Sequence, residues 1–575
     1  MDKSQKAEEP LSPNRRRRIT WSSLRLKNRR STIEETDSTR RRRFHSFSFF
    51  RESLKKRPRD DGGSEQQQWQ ELRADVEGAV PVREDDGGRP GALKRFSAMW
   101  SSFRRGRKGG KDSEHTEAPS LSEPESKSRA PRYASGQYFF EYLVVVSLKK
   151  TKDGSSYEPQ ISYQFPKRDG MAKFQKEEEE KTLKAITLFC FPEGVNWAPL
   201  TEYHSETFSF VLTEIDGSRR NGYCRRLLPG GNGARPPEAY CIISSLACFG
   251  LFSEIFDEVE KRRQISMAMI YPFMQKLREA PFPAPGNTVE IKSFIPESGT
   301  EIIRLTRPLD SWLEHVDFSV LFSCLTDHEV LMVFAAAVLE RRIIFIAEEL
   351  GTLSQVIHAV AALLYPFTWQ HTFISIVPRI LIDVVSAPTP YLLGVQKCLL
   401  DQVTDQYDVS SFRDYSGLSG AKRFSVSQLL LVDLSEDKKK TFLVTIGDEE
   451  SILPPKLQSE ILQALSDRQK ATTPEELNRV VSEAFLHFFV RTVGHYMSYV
   501  KPSSSGSGRV FEKRSFYKAI ESKTTRHFVK KFIQTQMFDL FIQEVEQQQA
   551  GPQQGIFHQK IVEYEKKKKD KTRKR

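Results

Sequence analysis

Cysteine is scarce in this sequence. There are six in 575 residues (Cys190, Cys224, Cys241, Cys248, Cys324 and Cys398), and no two form a Cys-x-x-Cys. Most sit in apolar runs, so they are expected to be buried thiols of a cytosolic protein and not a disulfide framework. Long hydrophobic runs are also missing. None reaches the ~18 residues a membrane-spanning helix needs, and the N-terminus has no signal-peptide core, so any membrane contact is expected to be peripheral. Reactive motifs are lacking too: there is no His-Glu-x-x-His, no Gly-x-Ser-x-Gly and no Cys/His set with metal-ligand spacing. Gly230-Gly-Asn-Gly233 lies in a proline-bounded loop without a following Gly-Lys-Ser/Thr, which excludes a P-loop. His358 and His371 lie near Asp383 in sequence, but one is on an amphipathic helix and the other beside a strand, so core or surface roles are expected for both. Covalent chemistry, a metal and a cofactor are therefore not expected.

Apolar residues make up only 38% of the chain, which suggests disordered ends diluting a normal core. The net charge of +12 is concentrated at those ends. Residues 1–136 hold 32 Lys and Arg against 21 Asp and Glu, and residues 566–575 hold eight against one. The body between is mildly acidic, which argues against a nucleic-acid-binding fold, since such a fold carries its basic patch on the folded surface. No nucleic-acid partner is expected.

Residues 1–136 are rich in Arg, Ser, Glu, Gly and Gln without a sustained period and are expected to be a disordered basic leader. Two islands, Arg40 to Phe50 and Lys94 to Arg105, mix cations with aromatic residues. Such mixtures suit contact with anionic lipid, the alternative being a solvated linker. Arg15-x-Arg17-x-x-Thr20 and Arg41-x-Arg43-x-x-Ser46 suit basophilic kinases, and phosphate on Thr20 or Ser46 would cancel the local positive field.

From Tyr138 the composition changes. Phe139 to Leu148, Tyr157 to Phe165 and Ile186 to Phe191 read as strands. Thr207 to Thr213 and Asn221 to Leu228 read as a hairpin, with Asp216-Gly and Asn221-Gly supplying positive φ. Tyr240 to Ser245 is a further strand and Phe252 to Leu277 is largely helical. Strands joined by turns imply an antiparallel sheet with flanking helices over 137–308, the last thirty residues being a linker with one strand pair. In 309–428, Thr326 and Glu329 have the spacing of a capping box, and Leu331, Phe334, Ala335 and Val338 then share a helix face. Ile343 to Ile346 reads as a strand buried on both faces, followed by a helix from Gly351 and strands at Phe373 to Val377 and Tyr391 to Val395. This alternation predicts a parallel α/β layer, with a polar insertion near 401–427. Residues 429–550 begin with strands at Leu429 to Asp433 and Phe442 to Ile446 and become helical. Thr473-Pro-Glu-Glu476 opens a helix carrying Phe485, Phe488, Phe489 and Thr492, and 529–546 reads as one last amphipathic helix. Residues 551–575 read as a basic tail.

Val338-Leu-Glu-Arg-Arg-Ile-Ile-Phe, Leu364-Tyr-Pro-Phe-Thr-Trp and Ala387-Pro-Thr-Pro-Tyr-Leu-Leu-Gly-Val resemble the central segment of DENN domains, and the resemblance runs from about Gln137 to about Val545. It implies a tripartite α/β module: an upstream longin-like part, a central α/β part and a downstream, mainly helical part. It also implies guanine-nucleotide exchange on a Rab-family small GTPase, loosely one of the late-endosome-to-Golgi route, by a cytoplasmic protein peripheral to endosomal or Golgi-derived membranes. The absence of a reactive set fits an exchanger, which works by binding the nucleotide-free GTPase more tightly than the loaded one. The alternative is a scaffold that binds a GTPase, kinase or adaptor without promoting exchange.

The resemblance puts the GTPase surface where the longin-like and central parts meet. The candidate contacts are Trp369, Gln370 and His371 together with Pro388, Thr389, Pro390, Tyr391 and Gly394. The prolines make a rigid loop and an aromatic side chain is a common interface anchor. The competing reading is that Pro388, Pro390 and Gly394 only shape a turn between strands. Glu340 and Arg341, between helix and strand, read either as a structural ion pair or as a partner contact.

Overall fold

The computed structural model describes residues 138–573 apart from 153, 155, 168–172, 195–198, 214–218, 297–298, 308–315, 408–428, 436–441, 445–448, 503–507 and 548–554. The leader with Thr20 and Ser46, the Asp216-Gly turn and most of the polar insertion lie outside the described residues.

The upstream part is a five-stranded antiparallel sheet in the order β2-β1-β5-β4-β3. Its strands are Tyr142–Lys150 (β1), Tyr157–Phe165 (β2), Thr207–Thr213 (β3), Arg219–Leu227 (β4) and Glu238–Ser244 (β5), with the helix Lys173–Cys190 (α1) between β2 and β3. Successive side chains of a strand point to opposite faces, and β1 is apolar on both. Val144, Val146 and Leu148 enter the core that holds Ile186 and Cys190 of α1. Leu143 and Val145 enter a second core, with Phe252, Phe256 and Phe273 of the helices Phe249–Ile265 (α2) and Ile270–Glu279 (α3). A hairpin, Thr288–Ile295 (β6) with Gly299–Thr306 (β7), follows.

The same two-faced burial organises the centre. After Phe318–Cys324 (α4) and Asp327–Val338 (α5), the strand Arg342–Ala347 (β8) sends Ile343 and Phe345 to one core and Ile344 and Ile346 to another. The capping box is formed as the spacing predicts: Glu329 N donates to Thr326 Oγ1, and Thr326 N donates to Glu329 Oε2 at 2.7 Å. Leu350–Ala362 (α6), Thr372–Ile374 (β9), Tyr391–Gln396 (β10), Leu400–Tyr407 (α7), Leu429–Asp433 (β11) and Phe442–Val444 (β12) complete it. The strand order is β12-β11-β8-β10-β9, parallel except for β12. The chain leaves β8 for β9 on one side and β10 for β11 on the other, so adjacent strands β8 and β10 form a topological switch point.

The downstream part comprises Pro455–Ser466 (α8), Pro474–Val493 (α9), the ribbon Val500–Pro502 (β13) with Arg509–Phe511 (β14), Lys513–Lys518 (α10), Lys523–Phe532 (α11), Gln536–Gln547 (α12) and Ile556–Arg573 (α13). The aromatic stripe of α9 is core, as expected: Phe334 of α5 meets the rings of Phe485 and Phe489 at 4.7 and 5.8 Å. Phe367 links that stripe to Phe532 of α11 at 5.0 Å.

Five expectations are corrected. Leu429–Asp433 and Phe442–Val444, read as the opening of the downstream part, belong to the central sheet, where β11 pairs with β8 and β12 with β11. Ile186 to Cys190 is the end of helix α1, because the run of Lys and Glu before it extends a 3.6-residue period that so short a mainly apolar segment cannot disclose by itself. Asn221 and Gly222 lie inside β4 instead of turning, and a Cβ on Gly222 would sit 2.3 Å from the Phe210 ring. Residues 529–546 are parts of two helices, broken at Ile533–Thr535. The tail from Ile556 is helical and buries Phe557 and Ile561, an apolar start that the following Lys run conceals in sequence.

Candidate partner-binding junction

The residues singled out from sequence gather at the amino ends of the parallel strands. Trp369, Gln370 and His371 lead into β9, and Pro388, Thr389 and Pro390 lead into β10. Trp369 is buried, its Nε1 donating to Thr372 O at 3.1 Å and its carbonyl accepting from Arg219 at 2.8 Å. Tyr391 is fully buried and donates to Val385 O at 2.7 Å. Gly394 is in mid-strand, where a Cβ would lie 2.0 Å from the Ser375 carbonyl oxygen. These three are core groups in the fold, and none offers surface to a partner. Of the set, Pro388 and Thr389 are exposed, while Gln370, His371 and Pro390 are half-buried.

His371 belongs to a structural joint. Its Nε2 lies 3.1 Å from Glu340 Oε2, and the Glu340 carboxylate also accepts from Gln536 N and Met537 N at 2.9 and 2.8 Å. Glu340 therefore caps α12 from the turn between α5 and β8, at a left-handed φ of 52°. Burial alone would raise its pKa, but His371 and the two amides outweigh it and hold the carboxyl below the usual range. A group with a depressed folded pKa contributes stability above its unfolded pKa, and that contribution fades as pH falls through the folded value. Glu340→Ala is expected to cost about 2 kcal/mol near neutral pH, and Glu340→Gly about 1 kcal/mol less because glycine tolerates the left-handed backbone. In urea titrations the gap between wild type and Glu340→Ala should close below about pH 4. A gap constant with pH would refute the joint.

The opposite, carboxyl ends of the parallel strands also meet the upstream sheet, which reaches the amino end of β9 through Arg219. Glu206, just before β3, accepts from Leu350 N and Gly351 N at 3.3 and 2.8 Å, occupying the N-terminus of α6 where the helix dipole favours an anion. Burial nevertheless pushes its carboxyl above the usual range, against the pull of those amides. Ser209 N donates to Ser354 Oγ at 3.2 Å, and Ser375 Oγ donates to Ser209 O at 2.7 Å, all three serines being buried. Arg379 N donates to Pro192 O at 2.7 Å. The two sheets are thus stitched edge to edge by backbone and short side chains.

Around this seam stands a polar rim. Glu348 and Glu349 after β8 are exposed, and Lys397 after β10 reaches Glu348 at 3.1 Å. The Arg379 side chain and Cys398 are exposed beside them. The rim lies outside the switch point between β8 and β10, where open α/β sheets hold their ligands. Sequence reasoning passed over these residues. The strand ends at Ile346 and Val395 were the signal that pointed to them.

Three family models match the chain in order: uDENN domain over residues 159–227, DENN (AEX-3) domain over 235–413 and dDENN domain over 511–560. DENN domain-containing protein 2D of Mus musculus is 56% identical over 462 residues, which cover 80% of this chain and 94% of that protein. The chain belongs to the DENN family. The Homo sapiens 2D protein is 57% identical over 454 residues, covering 78% and 92%. Homo sapiens DENN domain-containing protein 2B is 47% identical over 435 residues, 74% of this chain and 36% of the larger protein. The tripartite DENN fold accounts for the antiparallel sheet, the parallel sheet and the helical part seen here. The uDENN match includes the edge strand β3, and the DENN match includes β8, β9 and β10, so the seam joins two of the three matched segments.

Proposed function

We propose that this chain is a guanine-nucleotide exchange factor for a Rab-family small GTPase in membrane trafficking, and that the GTPase docks on the rim along the seam. The observation that carries the reading is the DENN match, in three parts and in order, over a chain whose two sheets are locked edge to edge. An exchanger must hold the GTPase switches in a geometry that weakens phosphate and Mg²⁺ binding. A stitched seam supplies a stiff platform for this, since Ser209, Ser354 and Ser375 leave the sheets little freedom to yield. Glu348, Glu349, Lys397 and Arg379 offer charges of both signs, which set orientation and partner choice. The exchange itself makes and breaks no covalent bond, so no nucleophile or base is assigned.

The test is release of fluorescent GDP from a panel of purified Rabs by the full chain. Acceleration on one or two Rabs is expected, and reversing the rim charges with Glu349→Arg and Arg379→Glu should lower it about tenfold. Thr389→Arg, on the exposed loop at the other strand ends, should leave it unchanged. The reverse pattern would move the docking surface to the Pro388-Thr389 loop. No acceleration on any Rab, with binding retained, would leave a GTPase-binding scaffold.

A further inference from the structure

The folded body is mildly acidic, yet one region of it is strongly basic. Between residues 513 and 536 there are seven Lys and Arg and a single carboxylate, Glu521. These residues form α10 and α11, joined at a corner where Arg526 donates to Ile520 O at 2.8 Å. Phe516, Phe528, Val529 and Phe532 are buried, which turns the opposite sides of both helices outward. On those outer sides Arg514 and Lys518 are one turn apart, and Lys523, His527 and Lys530 follow at i, i+4 and i+7 with Lys531 beside them. All six are exposed, and none has an ion-pair partner among the described residues. By contrast Lys513, at the edge of the group, is neutralised by Asp539.

Helix stability does not explain this set. Lys530 and Lys531 stand in the last turn of α11, where the dipole favours cations, but Lys523 stands in the first turn, where it opposes them. Unpaired like charges on one face repel each other, and an external counter-charge would relieve that repulsion. We propose that the outer face of α10 and α11 is a docking surface for an anionic phospholipid bilayer. It is a folded membrane contact separate from the basic leader and tail. Each cation near such a surface adds to the attraction, and the headgroups need no matching groove. Phe516, Phe528 and Phe532 are turned inward, so the face lacks the exposed aromatic platform on which single-stranded nucleic acid stacks.

The test uses the full chain and sedimentation with phosphatidylcholine vesicles, with and without about a third phosphatidylserine. The variant carries Lys523→Glu, in the first turn of α11, with Lys518→Gln, Lys530→Gln and Lys531→Gln, the last three neutral so that no carboxylate meets the negative end of α10 or α11. A second variant replaces Lys566, Lys567, Lys568 and Lys569 with Gln. The first is expected to weaken binding to phosphatidylserine vesicles by at least about tenfold with its thermal melt unchanged, and to lose more than the second. Unaltered vesicle binding by the first variant, or loss confined to the second, would overturn the proposal. Tighter binding of the wild type to single-stranded RNA than to vesicles, abolished in the first variant, would overturn it as well. If the first variant melts lower, the comparison passes to Lys518→Gln with Lys523→Gln, for which at least a threefold loss supports the proposal and none refutes it.

Discussion

Gly394→Ala should destabilise the protein by about 3 kcal/mol, read as a lowered urea midpoint with an unchanged slope. The added methyl would lie 2.0 Å from the Ser375 carbonyl oxygen, 2.7 Å from Ile357 Cδ1 and 2.9 Å from Leu353 Cγ. The side chains can turn away, but the carbonyl cannot. The strand is paired to β8 on one side and β9 on the other, and Gly394 O accepts from Val377 N at 2.7 Å. Relief therefore requires moving two paired strands or the helix α6 above them. Pro388→Ala, exposed and close by in sequence, should stay within about 0.5 kcal/mol of wild type. If Gly394→Ala proved equally harmless, the packing role assigned to this glycine would be wrong.

The second large effect is expected at Arg226. Its guanidinium is buried, donates to both oxygens of Glu193 at 2.7 Å and to Cys190 O at 2.9 Å, and lies over the Phe191 and Phe208 rings. Burial works against its charge, yet Glu193 holds its pKa above the ordinary value. Removing one partner of such a pair leaves the other charge uncompensated, so Arg226→Met should cost about 3–5 kcal/mol. Arg226→Lys should not rescue it, since an ammonium cannot satisfy two carboxylate oxygens and a carbonyl in one plane. Arg226→Met combined with Glu193→Leu should recover most of the loss, because removing both charges also removes the unpaired group. A double variant as unstable as the sum of the singles would show that packing over the two phenylalanine rings, and not the ion pair, sets the cost.

Much of the fold was legible because its signals are local. The Thr326–Glu329 box, the both-faces-apolar run at Ile343 to Ile346 and the stripe Phe485, Phe488, Phe489 each depend on residues within a few positions of one another. Each is found as the spacing predicts. Where the reading erred, the local signal was ambiguous or masked: the short, mainly apolar segment at the end of α1 fits either period, and the lysines of α13 hide the face that buries Phe557 and Ile561.

The site behaved differently. Aromatic, proline and glycine residues in the strongest family motifs drew attention to Trp369, Tyr391 and Gly394, and these prove to be what the strands are packed with. Residue type and spacing state what a side chain can do, and the local period states which element carries it. Neither states where one sheet touches a neighbouring one. That was decided by Glu206 reaching α6 across 145 residues and by Glu340 reaching α12 across 197. Contacts so distant along the chain are selected only by the packing of whole elements, because closing such loops costs entropy that no local preference can offset.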